Sequence, residues 1–402
     1  MNVLALRNFP APNRVLRGVD ARIARVEIIE EMANAEPHWR ALEQGNSLRT
    51  PYQHHDFLKL WQRHVGTAAG VTPFIVVGFN AQGAPLFLWP FGRRRVGGLQ
   101  VVEFLGGKHA NFNMGVWRRD MAETIEADDL RAVLKSLAGH ADILKLGSQP
   151  LTWGGTTNPF ALLPHLRSAN YGYSGALIPD YDALLRAHTN SATRKKMRKK
   201  ERALASFGAV RYERAESDAE VRRVLDAFFK QKSARMRLLG IPDAFAPPSV
   251  RRFIEAAAGE HLADGAPLLE LYTLSVGDII VATFGGIVGG GRFCGMFNSI
   301  IKDRYAAESP GEQLLAHVVR CCCERGLDTF DLGIGEANYK TLFCSDAEPM
   351  FDSHLPLSLA GRLVAIGFGF AARCKRTVKG HAALWALVRL TRRLRARLSP
   401  PI

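Results

Sequence analysis

The sequence predicts an α/β (α+β) fold with two tandem lobes, each a mixed, mostly antiparallel sheet flanked by helices. Three strand-like runs, a helix and a further strand follow one another over residues 268–334, and the same order occurs earlier, over residues 74–148. The chain has 402 residues, and 47% of its residues are hydrophobic. This length and composition are typical of a globular protein with two or three domains, and they argue against a disordered chain.

The later copy begins with three strand-like runs joined by tight turns. The runs are LLELYTLSV, IIVATFGGIV and RFCGMFNSI, and the turns between them lie at 277–278 and 289–291. Glycine-containing turns between apolar, β-branched runs are typical of β-hairpins. The segment 311–325 has apolar residues at i, i+3 and i+4, which predicts a helix, and the strand TFDLG follows it.

The start of this helix has the residues of a capped N-terminus. Ser309 is expected to be the N-cap, Pro310 the first helical residue, and Glu312 the partner that completes a capping box. Such a start presents backbone N–H groups and the positive end of the helix dipole, which favour an anionic phosphate. Plain helix capping explains the same residues without a ligand.

The earlier copy has the same order of elements with little residue identity. The runs FIVVGFN, PLFLWPFGRRR and LQVVEFLGG precede a helix-like segment at 128–141 and the strand DILKLGS. Residues 142–148 therefore occupy the position of residues 328–334. We interpret this relation as a repeat of architecture.

Several segments together resemble one family. The basic run SATRKKMRKKERAL, the helix FFKQKSARMRLLG, the pair Arg304-Tyr305 followed by SPGEQLL, and the segment DLGIGEANYK occur in this order within residues 50–345. They resemble the CelD/BcsL-type acetyltransferases, within the FemAB-like group of duplicated GNAT (acetyl-CoA-dependent N-acetyltransferase) proteins. In the GNAT fold, the order β-β-β-α-β places the cofactor pyrophosphate at the start of the helix. The usual GNAT loop Q/R-x-x-G-x-G/A is absent, and the Ser-Pro-Gly start stands in its place.

The resemblance implies an acyltransferase with acetyl-CoA, or another acyl-CoA, as co-substrate and with no metal. The second lobe has the Ser-Pro-Gly-Glu helix start and is expected to hold the coenzyme. The first lobe is expected to form the acceptor side of a cleft between the lobes. The residues expected at the coenzyme are Arg304, Ser309, Pro310, Gly311, Glu312 and Gln313.

Three residues after the last strand are the catalytic candidates. Acyl transfer needs a base for the acceptor, a group that stabilises the oxyanion and an acid for the leaving thiolate. Glu336 is expected to be the base, Tyr339 the acid, and Lys340 a ligand of phosphate or the oxyanion. A surface loop acid and a half-buried ring are the structural alternatives for the first two. Asp331, inside the strand, is expected to be buried and structural.

Two groups of polar residues are expected to bind the acceptor. Lys232 and Arg235 are three residues apart on one helix face, and in the family this helix borders the acceptor site. The loop GGKHANFN follows a strand of the first lobe. An exposed helix face and a turn are the structural alternatives. The loop residues expected at the acceptor are Lys108, His109, Asn111 and Asn113.

Two segments account for the formal charge of +15. Residues 189–202 hold seven Lys/Arg and one acid, and residues 361–402 hold ten Lys/Arg and no acid. The first predicts an inter-lobe helix that is either solvated or a clamp for polyphosphate or an acidic acceptor. The second resembles a membrane-surface helix, with 361–398 contacting anionic membrane, and packing on the protein body is the alternative. Neither has a nucleic-acid-binding motif, so nucleic acid is expected only as tRNA, in one alternative below.

These observations divide the chain into five parts. No apolar run reaches the length of a membrane span and no signal peptide is evident, so a cytoplasmic location, peripheral at the inner face of the membrane, is expected. The six cysteines are then expected to be reduced thiols, with Cys322 in the core. The parts are a mobile leader (1–22), a first lobe on the acceptor side (23–185), a basic inter-lobe helix (186–206), a second lobe on the acyl-CoA side (207–358) and a basic amphipathic C-terminal segment (359–402).

The expected function is transfer of an acetyl or other acyl group from acyl-CoA to a hydroxyl or amine. The resemblance implies a sugar, an exopolysaccharide precursor or an envelope component as the acceptor. The first alternative is a FemAB-like aminoacyl transferase that uses aminoacyl-tRNA, which the basic segments would suit. The second is a non-catalytic binding or scaffold protein with a degenerate cofactor site.

Overall fold

The structure, a computed structural model, describes residues 14–15, 22–335 and 342–368 of the chain, with the backbone alone at 14–15. One continuous sheet of fifteen strands runs through the described residues, with helices packed against it, so the predicted α/β class is confirmed. The strands of the N-terminal part are β1 Arg14–Val15, β2 Arg25–Ile29, β3 Ser47–Leu48, β4 Thr72–Phe79, β5 Pro85–Val96, β6 Leu99–Phe104, β7 Val116–Arg118, β8 Ile143–Pro150, β9 Thr152–Trp153, β10 Thr156–Thr157 and β11 Leu166–Ala176.

The C-terminal part adds six strands to these among the described residues. They are β12 Val210–Arg214, β13 Glu270–Val276, β14 Ile279–Gly289, β15 Arg292–Ile300, β16 Thr329–Ile334 and β17 Asp346–Pro356. The helices are α1 Met32–Gln44, α2 His55–Trp61, α3 Arg119–Thr124, α4 Ala127–Ser136, α5 Tyr181–His188, α6 Ser191–Ala205, α7 Asp218–Leu239, α8 Pro248–Gly259 and α9 Pro310–Glu324. A helical segment at 359–368 follows β17. Below, the first lobe is β2 to β8 with α1 to α4, and the second lobe is β12 to β16 with α7 to α9.

Each lobe contains the three-strand meander that the sequence predicts. In the first lobe β4, β5 and β6 pair antiparallel, and in the second lobe β13, β14 and β15 do so. The turns of the second meander lie at the predicted glycines. Gly277, Gly290 and Gly291 have φ of 59°, 57° and 72°, a conformation that glycine adopts without strain.

Each lobe also has one parallel strand pair that is joined only near one end. In the first lobe β6 and β8 pair at 101–102 with 143–144. In the second lobe β15 and β16 pair at 292–294 with 329–331. Beyond these residues the strands continue without pairing to each other, which leaves a wedge between them. The repeat of architecture is therefore visible in the strand pairing.

Two strands exchange places between the lobes. β17 follows the second lobe in sequence but pairs with β8 of the first lobe, whereas β11 follows the first lobe but pairs with β16 of the second. β11 and β17 also pair with each other, so the order in the middle of the sheet is β8-β17-β11-β16. The expected boundary between 185 and 207 thus separates the two meanders without separating two sheets.

The start of α9 differs from the prediction. The Ser309 side chain makes no capping hydrogen bond, and Ser309 has a left-handed conformation with φ of 51°. The amides of Glu312 and Gln313 donate to the carbonyl oxygen of Ser309 at 3.0 and 3.2 Å. The predicted capping box is therefore wrong, and the Glu312 N–H, one of the groups expected to be open to a phosphate, is already bonded.

The two lobes share one apolar core. Phe57 of α2 packs edge-on against Phe253 of α8, with ring centroids 5.2 Å apart, and both rings are fully buried. A second cluster of buried residues joins α9 to the strands of the second lobe, and Cys322 lies in it as predicted. Burial of aromatic side chains between α2 and α8 therefore fixes one lobe against the other.

The ends of the chain are described only in part. Arg14–Val15, within the expected leader 1–22, pairs with β2. Of the basic C-terminal segment, residues 369–402 lie outside the described residues, and with them most of the predicted membrane segment 361–398. No helix among the described residues has both the length and the apolar character to cross a membrane.

Candidate functional site

The wedge between β15 and β16 is filled at its narrow end by a side chain from the first lobe. The amide of Asn111 donates to the carbonyl oxygen of Gly295 at 3.0 Å and to the hydroxyl of Tyr52 at 3.1 Å. Gly333, across the wedge on β16, has φ of 69°, and a Cβ there would lie 2.5 Å from Asn111 Nδ2. Position 333 therefore requires glycine, and the loop predicted at the acceptor reaches the second lobe.

An ion group closes the same end of this wedge. The Arg292 guanidinium donates to Asp331 at 3.0 Å and to the two oxygens of Glu348 at 3.0 and 2.8 Å, and lies 4.2 Å from the ring of Trp153. Burial raises the pKa of Asp331 to about 6, while the charge of Arg292 opposes that rise. At pH 7 the Asp331 carboxylate is ionised and paired, which agrees with its predicted structural role.

The start of α9 lies beside the basic helix α6. Lys200 of α6 donates to the hydroxyl of Ser309, and its ammonium lies 3.5 Å from the carboxylate of Glu312. An acid at a helix N-terminus competes with a bound anion, and Lys200 offsets that charge. The basic run is thus a helix whose Lys200 reaches the predicted coenzyme end of α9.

Three of the other residues predicted at the coenzyme have structural contacts. The Gln313 side chain accepts from the hydroxyl of Tyr212 at 3.2 Å and donates to a backbone carbonyl at 2.8 Å. Pro310 is buried, and a Cβ on Gly311 would lie 2.8 Å from Ile300 Cγ2. These residues hold α9 against β15 and β12, so their types are explained by packing.

Arg304 is exposed near this helix start. Its guanidinium lies 4.9 Å from the ring of Tyr305 and 5.9 Å from the ring of Phe207, and it donates to the Tyr305 hydroxyl at 2.8 Å. The aromatic rings orient the planar cation, and a guanidinium has five N–H donors in a fixed fork. Arg304 therefore retains donors for an anionic ligand.

Lys232 of α7 lies against the open half of β15. Its ammonium donates to the backbone carbonyl of Asn298 at 3.1 Å and lies 5.6 Å from the ring of Phe245. Burial lowers the pKa of Lys232, and the charge of Arg235 adds to the effect. Arg235 is half-buried on the same helix. The predicted pair thus lies on the helix that packs on the open half of β15.

The wedge of the first lobe holds a cavity of about 840 Å³, a volume in the usual range for small-molecule sites. It lies between the open ends of β6 and β8, and β17 and a turn after α2 complete its walls. Three of the predicted loop residues, Lys108, His109 and Asn113, line this cavity. Since Asn111 of the same loop enters the second-lobe wedge, a single loop contributes side chains to both wedges.

Some of the charged groups that line this cavity are paired, and the imidazole of His109 is neutral. Trp61 Nε1 donates to His109 Nδ1 at 3.1 Å. Burial lowers the pKa of His109 to about 4, and the charge of Lys108 adds to the effect. The carboxylate of Glu103 accepts from Lys145 at 2.8 Å. Glu103 therefore offsets part of the positive charge of Arg94 and Lys145, and His109 presents a neutral ring to the cavity.

Two buried polar atoms of this cavity have no hydrogen-bond partner among the described residues. They are Oδ1 of Asn113, whose Nδ2 donates to a backbone carbonyl of β8 at 3.1 Å, and Nδ1 of His354. The ring of Phe368 stacks on His354 with centroids 5.2 Å apart. Because buried polar atoms are normally bonded, both atoms are candidates to bind hydroxyl or amide groups of a ligand.

The structure does not place the three catalytic candidates. Glu336, Tyr339 and Lys340 lie outside the described residues. The described chain reaches Gly335, whose amide donates to the carbonyl of Tyr171 on β11 at 3.0 Å. The three residues therefore follow directly from the open end of β16.

One cluster within the described ranges has the spacing of metal ligands. It consists of Glu36, His55 and Asp56. Arg40 forms ion pairs with both carboxylates, so its guanidinium already neutralises the negative charge that would attract a metal ion. This cluster is a structural ion pair at the junction of α1 and α2.

Several residues at the two wedges were not predicted from the sequence. Tyr52 lies in the segment Thr50–Gln53, whose capping box could have marked it as ordered. Trp61 carries no local signal. His354 lines the first-lobe cavity only because β17 crosses to β8, and local sequence patterns do not reveal such an exchange.

Comparison with known proteins supports a GNAT assignment for the second half. Residues 191–341, from α6 to the end of the second lobe, match a family described as an acetyltransferase (GNAT) domain. No curated protein sequence matches the chain. The CelD/BcsL-type resemblance remains a prediction.

Solved structures show the same fold at low identity. FemX aligns with a TM-score of 0.53 and 11% identity, over 81% of this chain and 96% of the FemX chain. A conserved protein of unknown function from Bacteroides thetaiotaomicron aligns with a TM-score of 0.50 and 12% identity, over 82% of this chain and 99% of that chain. A tandem GNAT protein from the clavulanic acid biosynthesis pathway aligns with a TM-score of 0.44 and 10% identity, over 83% of this chain and 99% of that chain. FemX and the Bacteroides thetaiotaomicron protein therefore share the fold of this chain, in which two lobes with the same strand order lie in one sheet.

Proposed function

We propose that the protein transfers an acetyl or other acyl group from acyl-CoA to a hydroxyl or amine of a sugar, exopolysaccharide or envelope precursor. The observation that carries the proposal is the second-lobe wedge, which opens beside the start of α9 within the region that matches the GNAT domain. The two strands diverge beyond residues 294 and 331, and a space between diverging strands can admit an extended ligand that runs along them. The amide-containing arm of coenzyme A has the chemistry for such a slot.

The phosphates of the coenzyme would lie at the start of α9. The Glu312 amide of the first turn is bonded to Ser309, so the helix end alone offers fewer donors than the sequence suggested. Lys200 and the stacked Arg304 supply the missing positive charge. Charge-assisted hydrogen bonds to phosphate are stronger than bonds between neutral groups, so side chains replace part of the backbone contribution.

The acceptor would lie in the first-lobe cavity, on the side predicted from the sequence. Asn111 contacts the second-lobe wedge and Asn113 lines the cavity. Two residues of extended chain span about 7 Å, so Asn111 and Asn113 contact the second-lobe wedge and the first-lobe cavity from backbone positions that lie close together. The neutral imidazole of His109 and the unpaired Oδ1 of Asn113 suit hydroxyl groups, as expected for a sugar.

The chemistry would be completed by the residues that follow β16. In this proposal Glu336 removes the proton of the acceptor, Tyr339 protonates the thiolate, and Lys340 stabilises the oxyanion. Lys232 lies beside the open half of β15, and its lowered pKa is that of an ammonium partly removed from water. It would orient the acceptor or the thioester rather than carry phosphate.

Calorimetric titration with acetyl-CoA tests the proposal most directly. Arg304→Ala and Lys200→Met should each weaken binding at least tenfold, which is about 1.4 kcal/mol. Lys199→Met is the matched control, because Lys199 is exposed on the same helix and should change affinity little. Melting temperatures of all variants establish that they are folded. If the wild-type protein does not bind acetyl-CoA, the proposal fails. The result would then favour the alternative of a non-catalytic binding or scaffold protein with a degenerate cofactor site.

The aminoacyl-tRNA alternative rests on the same basic helix. α6 carries a run of cations from Arg194 to Arg202, and several of them are exposed. A polyanion such as tRNA would bind them with strong salt dependence. A complex of the protein with free coenzyme A that survives ribonuclease treatment would argue against this alternative.

A further inference from the structure

The helical segment 359–368 exposes an apolar stripe. The exposed fractions of Leu359, Leu363 and Ile366 are 77%, 75% and 72%. Their spacing of i, i+4 and i+7 places them on one side of the helix. Single exposed apolar residues are normal on a protein surface, but a contiguous row of three large ones marks an interaction surface.

The opposite side of this helix is fixed on the protein body. A Cβ on Gly361 would lie 1.9 Å from the carbonyl oxygen of Asp142, so the helix backbone packs closely there. The hydroxyl of Ser358 donates to the Asp142 carboxylate at 2.6 Å, and Phe368 stacks on His354. These contacts hold the stripe outward, and they rule out a simple rotation that would bury it.

The chain next to the stripe is strongly cationic. Residues 369–402 follow it directly and contain nine Lys/Arg and no acid, and Arg362 is exposed on the helix itself. Apolar side chains beside cations match a lipid surface with anionic headgroups, where the apolar groups enter the interface and the cations stay near the phosphates. A second copy of the chain fits less well, because it would bring two like-charged segments together.

We propose that Leu359, Leu363 and Ile366 form a membrane-contact stripe that seats the protein on an anionic lipid surface. The first-lobe cavity lies beside this surface, since Phe368 belongs to the same helix and lines the cavity. The protein would thus meet ligands that are carried in or near the membrane. The stripe acts whether or not acyl transfer occurs, so its test is independent of the proposed reaction.

Sedimentation with lipid vesicles tests the stripe. The full-length protein should bind vesicles of phosphatidylcholine containing phosphatidylglycerol at low salt, and it should bind pure phosphatidylcholine much more weakly. Leu363→Ser and Ile366→Ser should each reduce binding to the anionic vesicles about tenfold. The matched control is Leu238→Ser, because Leu238 is 76% exposed at the end of α7 and outside the stripe. It should leave vesicle binding unchanged.

The remaining outcomes each overturn the proposal. If the wild-type protein does not bind the anionic vesicles at low salt, a membrane is excluded as the partner of the stripe. Binding that the stripe variants do not reduce assigns the contact to the cations alone. Stripe variants that instead change the molar mass in light scattering identify a second copy as the occupant. Variants that lower the melting temperature without altering vesicle binding identify the stripe as covered by residues of the same chain.

Discussion

Replacement of Arg292 by methionine tests the ion group that closes the second-lobe wedge. The Arg292 side chain is 12% exposed and is paired with Asp331, which is fully buried, and with Glu348. Removal of one partner of a buried pair costs about 3–5 kcal/mol, because the other charge is left without compensation. Without the cation the pKa of Asp331 rises above about 6, so the carboxyl can take up a proton near neutral pH, which limits the loss. We therefore expect the free energy of unfolding to fall by about 3 kcal/mol at pH 7.

The pH dependence of stability gives a second measure of the same group. The pKa of Asp331 is about 6 in the folded protein, against 3.8 as its ordinary value. Because the folded pKa is raised, the stability that protonation contributes is fully present below about pH 4 and is lost as the pH rises through about 6. The difference corresponds to about 3 kcal/mol, at about 1.4 kcal/mol per pKa unit. Asp331→Asn should remove this titration and flatten the stability curve between pH 4 and 6.

Urea denaturation followed by circular dichroism and tryptophan fluorescence measures these changes. Arg131→Met is the matched control, since Arg131 and Asp128 form an exposed pair on α4. That control should lose less than about 1 kcal/mol. The double variant Arg292→Met/Asp331→Asn should lose less than the two single variants together, because the unpaired carboxylate is gone. A loss for Arg292→Met no greater than that of the control would refute the role of the ion group.

Three further substitutions test the start of α9, the wedge and one of the catalytic candidates. Gly311→Ala would normally stabilise a helix by about 1 kcal/mol, but here the new methyl meets Ile300, so the melting temperature should fall even without coenzyme. Adding Ile300→Ala should recover part of that loss, and no recovery would show that packing is not the cause. Gly333→Ala should lower the melting temperature because φ is positive and Asn111 blocks the site. The companion Asn111→Ala should relieve only the steric part, whereas complete recovery would show that φ costs little. Tyr339→Phe should lower kcat about 100-fold with little change in melting temperature if the phenol protonates the thiolate. A stability loss with unchanged kcat would mark Tyr339 as structural.

The elements of each lobe could be predicted because their signals are local. Glycine turns and β-branched runs define both meanders, and the apolar stripe of 311–325 defines α9. The start of α9 was misread because Ser309 has the residue type of an N-cap, while its left-handed backbone leaves the side chain to accept from Lys200. That contact joins residues 109 positions apart in the sequence, so the local pattern of residues around α9 cannot predict it.

The candidate site was predictable in its loop but not in its walls. The polar residues of the segment 107–113 could be recognised by composition. Their division between two wedges, with Asn111 in one and Asn113 in the other, depends on how the lobes pack. His354 and Phe368 reach the first-lobe cavity through a strand that comes from the far end of the chain. Long-range pairing of this kind follows from the burial of whole strands, which local patterns do not encode.

The exchange of β11 and β17 makes the two lobes a single folding unit. Residues 191–341, which match the GNAT domain, begin after β11 and end before β17, so alone they would leave the edge of β16 unpaired. The amide of Ser148 donates to Asp352, a contact between residues 204 positions apart. Such contacts form late, because the entropy of closing a long loop must be overcome first. During synthesis neither wedge is complete until β17 is made, because Glu348 closes the second-lobe wedge and His354 lines the first-lobe cavity. A chain that stops before β17 would lack part of both, so the arrival of a single strand would decide when the two halves of the site exist.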